Sequence, residues 1–317
     1  MAKKQEYGNE SIKSLKGAER VRKRPAVIFG SDGIEGCEHS IFEIMSNSID
    51  EAREGYGKKI IITKYLDGSV EVQDFGRGIP VDYNKNEGKF NWELLFCEMY
   101  AGGKYDNGGD NYEFSLGLNG LGLCATQYAS EYMDAEIKSG RYKYTLHFEH
   151  GENVGGLVKE EYKKRGDTGT RIKWKPDLKV FTDINIPVEY FEETIKRQAI
   201  VNDGIKFVFK NQISSASFDT KEYCYENGIQ DYVKDIAGDK AFTTPQYWEC
   251  ERVGKDREDL NEYKLKIKAS LCFSLDTQLK EYYHNSSFLE HGGAPEKAFK
   301  SAFVSQINAY LKANNKY

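Results

Sequence analysis

The chain has 317 residues, of which 39% are hydrophobic and 30% are charged. This length allows two domains with a core in each, and the composition is that of an ordinary folded protein rather than a disordered one. The net charge of −5 gives no overall basic surface for nucleic acid, so any DNA contact must be local or lie in another chain. No apolar run is long enough for a bilayer and no signal-peptide core opens the chain, so we expect a cytoplasmic protein.

The cysteines do not form a recognisable metal or disulfide pattern. No Cys-x-x-Cys pair occurs, and no histidine lies at ligand spacing from a cysteine. The sequence therefore predicts reduced, mostly buried thiols rather than a zinc site or a disulfide framework. The six positions are Cys37, Cys97, Cys124, Cys224, Cys250 and Cys272.

Helices and a hairpin are predicted in the first part of the chain. Apolar residues at a spacing of three predict a short amphipathic helix over 11–24 that ends before Pro25. The pair Asp67-Gly68 predicts a tight turn between two strands. In chain order, the predicted elements are helices over 11–24 and 39–54, strands over 59–65 and 69–74, and helices over 92–100 and 121–130.

The remainder of the chain is predicted to add strands and helices in a mixed order, which favours an α+β layered fold. A polar run at 211–215 suggests a domain boundary near 212–222. The predicted elements are strands over 142–147, 156–161, 170–174, 205–210 and 264–275, and helices over 190–202 and 295–313.

The helix predicted over 39–54 has one polar face. On a helical wheel, Glu43, Ser46, Asn47 and Asp50 fall within roughly 100° of one another, one turn after His39. Periodicity alone favours an ordinary solvent-exposed face. However, mid-helix serine and asparagine lower helix propensity, and a carboxylate and an amide one turn apart suit Mg²⁺ with its waters. Alternatively, Glu43 accepts the proton of an attacking water while His39 tunes its charge.

Two glycine motifs follow that helix. After a predicted strand, Asp74 is followed by Gly76 and Gly78. This arrangement lets a carboxylate accept a hydrogen bond from an exocyclic amine while the backbone approaches a flat ring. Seven of the residues from Gly102 to Gly122 are glycine, and the segment leads into a helix. Amide groups at that first helical turn favour an anion, although a mobile surface loop is the simpler interpretation.

These motifs, in this order, resemble the GHKL ATPases and, more closely, the ATPase (B) subunits of bacterial type IIA topoisomerases, DNA gyrase and topoisomerase IV. The signature run extends from about Tyr7 to Trp174. Its blocks are Ser11-Ile12-Lys13-x-Leu15-Lys16-Gly17, Val21-Arg22-Lys23-Arg24-Pro25, Phe42-Glu43-x-x-x-Asn47-Ser48-Ile49-Asp50-Glu51-Ala52, Val72-Gln73-Asp74-x-Gly76-Arg77-Gly78-Ile79-Pro80, Ala101-Gly102-Gly103-Lys104 and Asp167-Thr168-Gly169-Thr170.

The resemblance implies an α+β fold: a GHKL (Bergerat) ATPase α/β sandwich followed by a transducer domain of ribosomal-protein-like α+β fold. The implied domains are an N-terminal arm over 1–25, the ATPase domain over 26–214 and a truncated transducer over 215–317. The implied cofactors are ATP and Mg²⁺. The implied partners are DNA in the full-length assembly, a second copy of the chain through arm exchange, and the cleavage (A-type) subunit, with no membrane.

The same resemblance implies a role for each matching residue. Glu43 is the general base with His39 as its partner, and Asn47 is the Mg²⁺ ligand. Asp74 binds adenine, supported by Gly78 and Thr170. The other implied nucleotide contacts are Asp50 and Ile79, the arm residue Tyr7, the lid residues Gly102, Gly103 and Lys104, and the phosphate-cradle residues Gly117, Leu118, Asn119, Gly120, Leu121 and Gly122.

The chain departs from the family pattern at several points. Asn119 stands where the family usually has histidine, and Phe75 replaces a common second aspartate. The family's Gln-Thr-Lys loop, whose lysine reaches the γ-phosphate, is not found before Tyr317. We therefore expect a piece of a longer protein that binds ATP better than it hydrolyses it.

The expected function is the ATP-operated dimerisation gate of a type II DNA topoisomerase. Two other functions stay open at this point. One is that of a different GHKL ATPase, from the chaperone and repair class. The other is that of a nucleotide-sensing module with little turnover, which the missing lysine and the altered glycine loop make plausible.

Overall fold

The structure is a computed structural model that describes residues 14–101, 121–164, 166–255, 257–259 and 262–316. The chain forms two compact units. The first contains the described residues between 14 and 191 together with 208–221. The second contains 192–207 and the described residues from 222 to 316.

Helices and strands are both abundant, which confirms the predicted α+β class. The helices are α1 Glu19–Arg22, α2 Pro25–Phe29, α3 Ile34–Arg53, α4 Asn91–Cys97, α5 Gly122–Tyr128, α6 Val188–Val201, α7 Ile229–Ala237 and α8 Gly293–Ala313. The strands are β1 Lys59–Lys64, β2 Val70–Asp74, β3 Tyr83–Asn84, β4 Lys89–Phe90, β5 Ser130–Ser139, β6 Tyr142–Glu149, β7 Glu152–Glu161, β8 Gly169–Pro176, β9 Lys206–Gln212, β10 Phe218–Tyr223, β11 Gln246–Gly254, β12 Tyr263–Leu271, β13 Tyr283–His284 and β14 Ser287–Phe288.

An eight-stranded sheet runs in the order β10-β9-β1-β2-β8-β5-β6-β7. Neighbouring strands from β1 through β7 along this order pair antiparallel. The β1–β2 hairpin pairs Ile62 with Val72, and alternate residues of both strands are buried. This hairpin confirms the strands predicted on either side of Asp67-Gly68.

Two helices cover the middle of this sheet. Helix α3 contacts β1, β2 and β8, and α5 contacts both α3 and β5. Trp174 on β8 is fully buried and donates its indole N–H to the carbonyl of Thr126 on α5, at 3.0 Å. The sheet and α3 therefore hold the residues of the glycine motif and of the polar helix face on one scaffold.

The N-terminal helix differs from the prediction. A single helix was expected over 11–24, but the described part of that range is helical only in α1, and residues 11–13 lie outside the described residues. The helix does end before Pro25, as predicted, and Pro25 is the first residue of a further helix, α2. Proline suits this position because the first turn of a helix leaves its N–H groups without intrahelical partners.

Several elements have no counterpart in the sequence prediction. Strand β5 occupies the centre of the sheet, and β10 lies in the polar stretch where a boundary was expected. In the second unit, α7 and β11 were also missed, and β12 ends at Leu271 rather than at residue 275. Strands β11 and β12 form an antiparallel pair whose side chains are mostly exposed.

All six cysteines lie in the described residues and are thiols, as predicted. The expectation that most are buried is wrong, because only Cys37 and Cys124 are buried and Cys224 is exposed. Among the described helices, none has the length and hydropathy that a membrane span requires.

Candidate functional site

Helix α3 carries the first part of the candidate site, in the first unit. His39 and Glu43 lie one turn apart, and His39 Nε2 is 3.1 Å from Glu43 Oε1. The hydrogen bond to Glu43 raises the pKa of His39, although partial burial of the ring opposes the rise. Phe29, at the end of α2, packs edge-on against the His39 ring with 6.1 Å between centroids. The pair is therefore a half-exposed acid–base couple at the start of the polar face.

Asn47 lies one turn further along α3. Its side-chain Nδ2 donates to the backbone carbonyl of Glu43 at 3.0 Å, and the Ser46 hydroxyl donates to the same carbonyl at 2.9 Å. The bond to Glu43 uses the amide nitrogen of Asn47. The amide oxygen is consequently the atom that this side chain offers to a hard cation.

The polar face of α3 is not an ordinary solvent-exposed face. Ser46 and Asp50 are 2% and 6% exposed, respectively. Arg53 lies 4.0 Å from Asp50, and burial lowers the pKa of its guanidinium. Charged and polar side chains are rarely buried in this way unless they are partnered. The interpretation of this face as solvent-exposed, which periodicity alone favoured, is therefore wrong for Ser46 and Asp50.

Glu43 lies against the first residue of α5. A Cβ placed on Gly122 would come within 2.0 Å of Glu43 Oε2. Only glycine allows the Glu43 carboxylate to approach this helix so closely. Leu121 is the N-cap residue of the same helix. The structure thus brings Gly122 to Glu43, with Leu121 as the preceding residue.

Asp74, at the end of β2, is the second part of the site. It is 8% exposed and accepts three hydrogen bonds. The backbone N–H groups of Gly76 and Thr170 donate to Oδ1 at 3.1 and 3.0 Å, and the Ser48 hydroxyl donates to Oδ2 at 3.0 Å. These donors come from the turn after β2, from β8 and from α3.

Burial raises the pKa of Asp74, and the nearby Glu51 carboxylate adds to the rise. The three hydrogen-bond donors act in the opposite direction because they stabilise the anion. Glu51 itself is held by Arg77, whose backbone N–H and guanidinium both donate to it at 2.7–2.9 Å. Arg77 also stacks over the Tyr56 ring at 3.8 Å.

Glycine is required at two positions near Asp74, one in the turn after β2 and one at the start of β8. Gly78 has φ +82°, and a Cβ there would lie 2.6 Å from the carbonyl oxygen of Lys138. Gly169 has φ +143°, and a Cβ there would lie 2.3 Å from the carbonyl oxygen of Asp74. Gly78 therefore lets the turn approach the backbone of β5, and Gly169 lets the start of β8 approach the backbone of Asp74.

Thr170 joins the turn to β8. Its hydroxyl accepts a hydrogen bond from the backbone N–H of Ile79 at 3.1 Å, while its own N–H donates to Asp74. The fold therefore brings together residues that are up to 96 positions apart in the sequence, namely Asp74, Gly78, Ile79 and Thr170.

Several predicted site residues lie outside the described residues, namely Tyr7, Gly102, Gly103, Lys104, Gly117, Leu118, Asn119 and Gly120. Within the described part of the chain, no three His, Cys, Asp or Glu side chains are arranged to hold a metal ion.

Sequence reasoning missed the residues that surround Asp74. Ser48 appeared only as a member of a motif, and neither Glu51 nor Arg77 was assigned a role. Glu51 lies only one residue past Asp50 on the wheel, but its partner Arg77 is 26 residues away. No local pattern indicates such a pairing.

The comparisons with known proteins agree with one another. A family model described as DNA gyrase B matches residues 228–317. The DNA gyrase B subunit of Thermotoga maritima is 32% identical over 98% of this chain and 48% of its own length. The DNA topoisomerase 4 B subunit of Staphylococcus aureus is 32% identical over 99% of this chain and 46% of its own length. The chain thus spans about half the length of these curated relatives.

Two solved structures resemble the fold. The 43K ATPase domain of Thermus thermophilus gyrase B, in complex with an aminocoumarin, has a TM-score of 0.73 at 26% identity, covering 95% of this chain and 74% of that one. The topoisomerase IV ATP-binding domain of Francisella tularensis, in complex with a small-molecule inhibitor, has a TM-score of 0.59 at 26% identity, covering 75% of this chain and 64% of that one. The predicted GHKL ATPase fold class is confirmed.

Proposed function

The chain belongs to the family of DNA gyrase and topoisomerase IV B subunits, and from this premise we propose that it binds ATP on α3 and β2 and hydrolyses it. The observation that carries the proposal is the buried carboxylate of Asp74, held by three donors, beside the helix that bears Glu43. Ser48, which contacts Asp74, is five residues after Glu43, which is about 7.5 Å along a helix. A base subsite and a phosphate subsite can therefore share one helix.

The adenine end of the site is assigned to Asp74. An ionised carboxylate is an acceptor only, so it takes a hydrogen bond from the exocyclic amine of adenine. Gly78 presents backbone without a side chain to a flat ring, and Ile79 and Thr170 hold that turn in position. These features support adenine over a base that has a carbonyl at the same position.

The hydrolytic end is assigned to Glu43. Its carboxylate takes the proton of an attacking water, and His39 orients and partly neutralises it from 3.1 Å away. Because the pKa of His39 is raised by that contact, the ring keeps its positive charge to a higher pH than an isolated histidine. Leu121 and Gly122 open α5 next to Glu43, and the glycine-rich segment before them is assigned to the phosphates.

Mg²⁺ fits the residues on this face of α3. Asn47 offers an amide oxygen, and Mg²⁺ in nucleotide sites is held by one or two protein oxygens together with phosphates and waters. Asp50 lies on the same face one turn later and is assigned to the ion's water shell. The ion, when bound, neutralises phosphate charge.

In the whole protein, we propose that ATP binding closes a dimerisation gate that controls DNA strand passage. The arm over 1–25 reaches the nucleotide of a second copy, the ATPase domain spans 26–214 and the transducer spans 215–317. The relatives' names support DNA and a cleavage subunit as partners of the assembly. The cytoplasmic location stays a prediction.

The test is titration of the chain with a non-hydrolysable ATP analogue and Mg²⁺, monitored by calorimetry and sedimentation, together with turnover of ATP. We expect binding in the micromolar-to-millimolar range, about −4 to −8 kcal/mol. Glu43→Gln retains binding and loses turnover, whereas Glu38→Gln, on the same helix, changes neither. Absence of analogue binding by the wild-type chain contradicts the proposal. Binding without Glu43-dependent turnover, even in a chain extended past residue 317, favours the nucleotide-sensing role instead.

A further inference from the structure

Ser48 lies between the two subsites on the buried side of α3. It is 6% exposed, and its hydroxyl donates to Asp74 Oδ2 at 3.0 Å. The other oxygen of Asp74 accepts only from backbone, namely the N–H groups of Gly76 and Thr170. Ser48 is consequently the side-chain donor that the described residues supply to this carboxylate, and a point mutation can remove it without altering the backbone.

The hydrogen bonds leave Asp74 with a defined acceptor direction. A carboxylate offers about four acceptor positions, two on each oxygen. The backbone donors occupy both positions on Oδ1, and Ser48 occupies one on Oδ2. Among the described residues, the second position on Oδ2 is the one left for a ligand. The Ser48 hydroxyl therefore decides where that position points.

We propose that Ser48 is a positioning residue for base recognition, whose hydroxyl holds the Asp74 carboxylate so that Oδ2 accepts the exocyclic amine of an adenine base. This inference rests on the proposed ATP site. Ser48 does not need to touch the nucleotide, because it acts through Asp74.

The same hydrogen bond maintains the charge that recognition requires. Burial and the neighbouring Glu51 both raise the pKa of Asp74, and the Ser48 hydroxyl opposes them. Arg77 partly neutralises Glu51 but donates to Glu51 rather than to Asp74. A protonated Asp74 would carry an O–H donor. It could then donate a hydrogen bond to a base that has a carbonyl in place of the amine. Ser48 thus favours an amine over a carbonyl by geometry and by charge.

The test compares Ser48→Ala with Ser40→Ala in the 317-residue chain. Ser40 is a matched control because it is a fully buried serine on the same helix, and its hydroxyl donates to the carbonyl of Gly36 at 2.8 Å, remote from Asp74. Two probes are used, a non-hydrolysable ATP analogue and its inosine counterpart, which differ in the amine and the carbonyl at one ring position. Binding of each is measured between pH 5 and pH 8.

A second readout needs no nucleotide. The carboxyl carbon of Asp74 is titrated by NMR in the nucleotide-free wild-type chain and in both variants. Because the Ser48 hydroxyl stabilises the charged form, its removal in Ser48→Ala raises the pKa of Asp74 above that of the wild-type chain. Ser40→Ala leaves the titration unchanged.

For Ser48→Ala, we expect the affinity for the ATP analogue to fall about tenfold, the magnitude of one hydrogen bond to a charged group. The fall becomes larger as the pH is lowered, and the preference for the ATP analogue over the inosine analogue shrinks. An unchanged pH profile, unchanged base preference and unchanged Asp74 titration overturn the role of Ser48. If the wild-type chain binds neither analogue, the ATP site itself fails, while the nucleotide-free titration still decides whether Ser48 controls Asp74.

Discussion

Replacing Arg22 by methionine tests how the first unit holds its N-terminal helix. The Arg22 guanidinium pairs with the Asp177 carboxylate, which is 4% exposed, and donates to the carbonyls of Tyr128 and Ser130 at 3.1 and 3.2 Å. His150 Nδ1 lies 2.8 Å from the same oxygen of Asp177. Burial acts to raise the pKa of Asp177, but these partners outweigh it and the pKa is lowered. The Arg22 side chain thus links α1 to residues at the ends of α5 and β8.

The expected loss follows from what the substitution leaves behind. Breaking a buried ion pair by removing one partner costs about 3–5 kcal/mol, because the other charge stays buried. Arg22→Met also leaves two carbonyls without this donor, at about 1 kcal/mol each, whereas His150 still compensates part of the Asp177 charge. We therefore expect the free energy of unfolding of the first unit to fall by about 3–5 kcal/mol.

The control is Lys23→Met on the neighbouring position. Lys23 pairs with Glu19 at 2.7 Å, but both side chains are more than half exposed, so solvent screening should leave the stability nearly unchanged. Urea unfolding is followed by the fluorescence of Trp174, which is fully buried in the first unit. Replacing Trp92 and Trp248 by phenylalanine in every variant makes Trp174 the sole tryptophan.

The pH dependence supplies an independent check. Because the folded-state pKa of Asp177 is lowered, its charged interactions stabilise the fold above the unfolded carboxyl pKa of about 3.9 and are lost as the pH falls through the folded value. The difference in unfolding free energy between the wild-type chain and Arg22→Met should therefore hold from pH 7 to about pH 5 and narrow as the pH is lowered through about 3.9 towards the folded pKa. A loss below about 1 kcal/mol, equal to that of Lys23→Met, or a difference independent of pH, would refute the reasoning.

Three further outcomes are expected. Gly122→Ala should displace the Glu43 carboxylate, which lies 2.0 Å from the new methyl position, and lower ATP turnover at least about tenfold with little change in circular dichroism. Gly169→Ala should destabilise the first unit by more than about 2 kcal/mol in urea unfolding, since its Cβ would meet the Asp74 carbonyl at 2.3 Å in a left-handed conformation. His147 has a raised pKa because two carboxylates lie within 3.1 Å, so its stabilisation is complete below about pH 6.5 and is lost as the pH rises through the folded value. His147→Gln should flatten that part of the stability–pH curve, and an unchanged curve contradicts the assignment.

The sequence by itself determined the features that depend on local spacing. A 3.6-residue period predicted most of α3, and the turn pair Asp67-Gly68 between two strand segments predicted the β1–β2 hairpin. The spacing of four between His39 and Glu43 predicted their contact, because residues four apart lie on one side of a helix. The motifs and their order also indicated the family resemblance, because both can be read from the sequence without knowing the fold.

Only the tertiary structure decided how these pieces combine. Strand β5 was missed although Met133, Ala135 and Ile137 alternate with charged residues, which is a strand pattern. Its place at the centre of the sheet depends on pairing with β6 and β8, which the pattern of one segment does not reveal. Whether a polar residue is buried depends on which elements pack over it, as at Ser46 and Asp50.

The donors to Asp74 show the same dependence most clearly. One is two residues away, one is 26 residues away and one is 96 residues away along the chain. Hydrogen bonds between residues far apart in the sequence depend on how the elements pack together. They therefore cannot be predicted from sequence spacing. Asp74 can be recognised as a candidate from its motif, but its partners, its burial and its pKa belong to the folded chain.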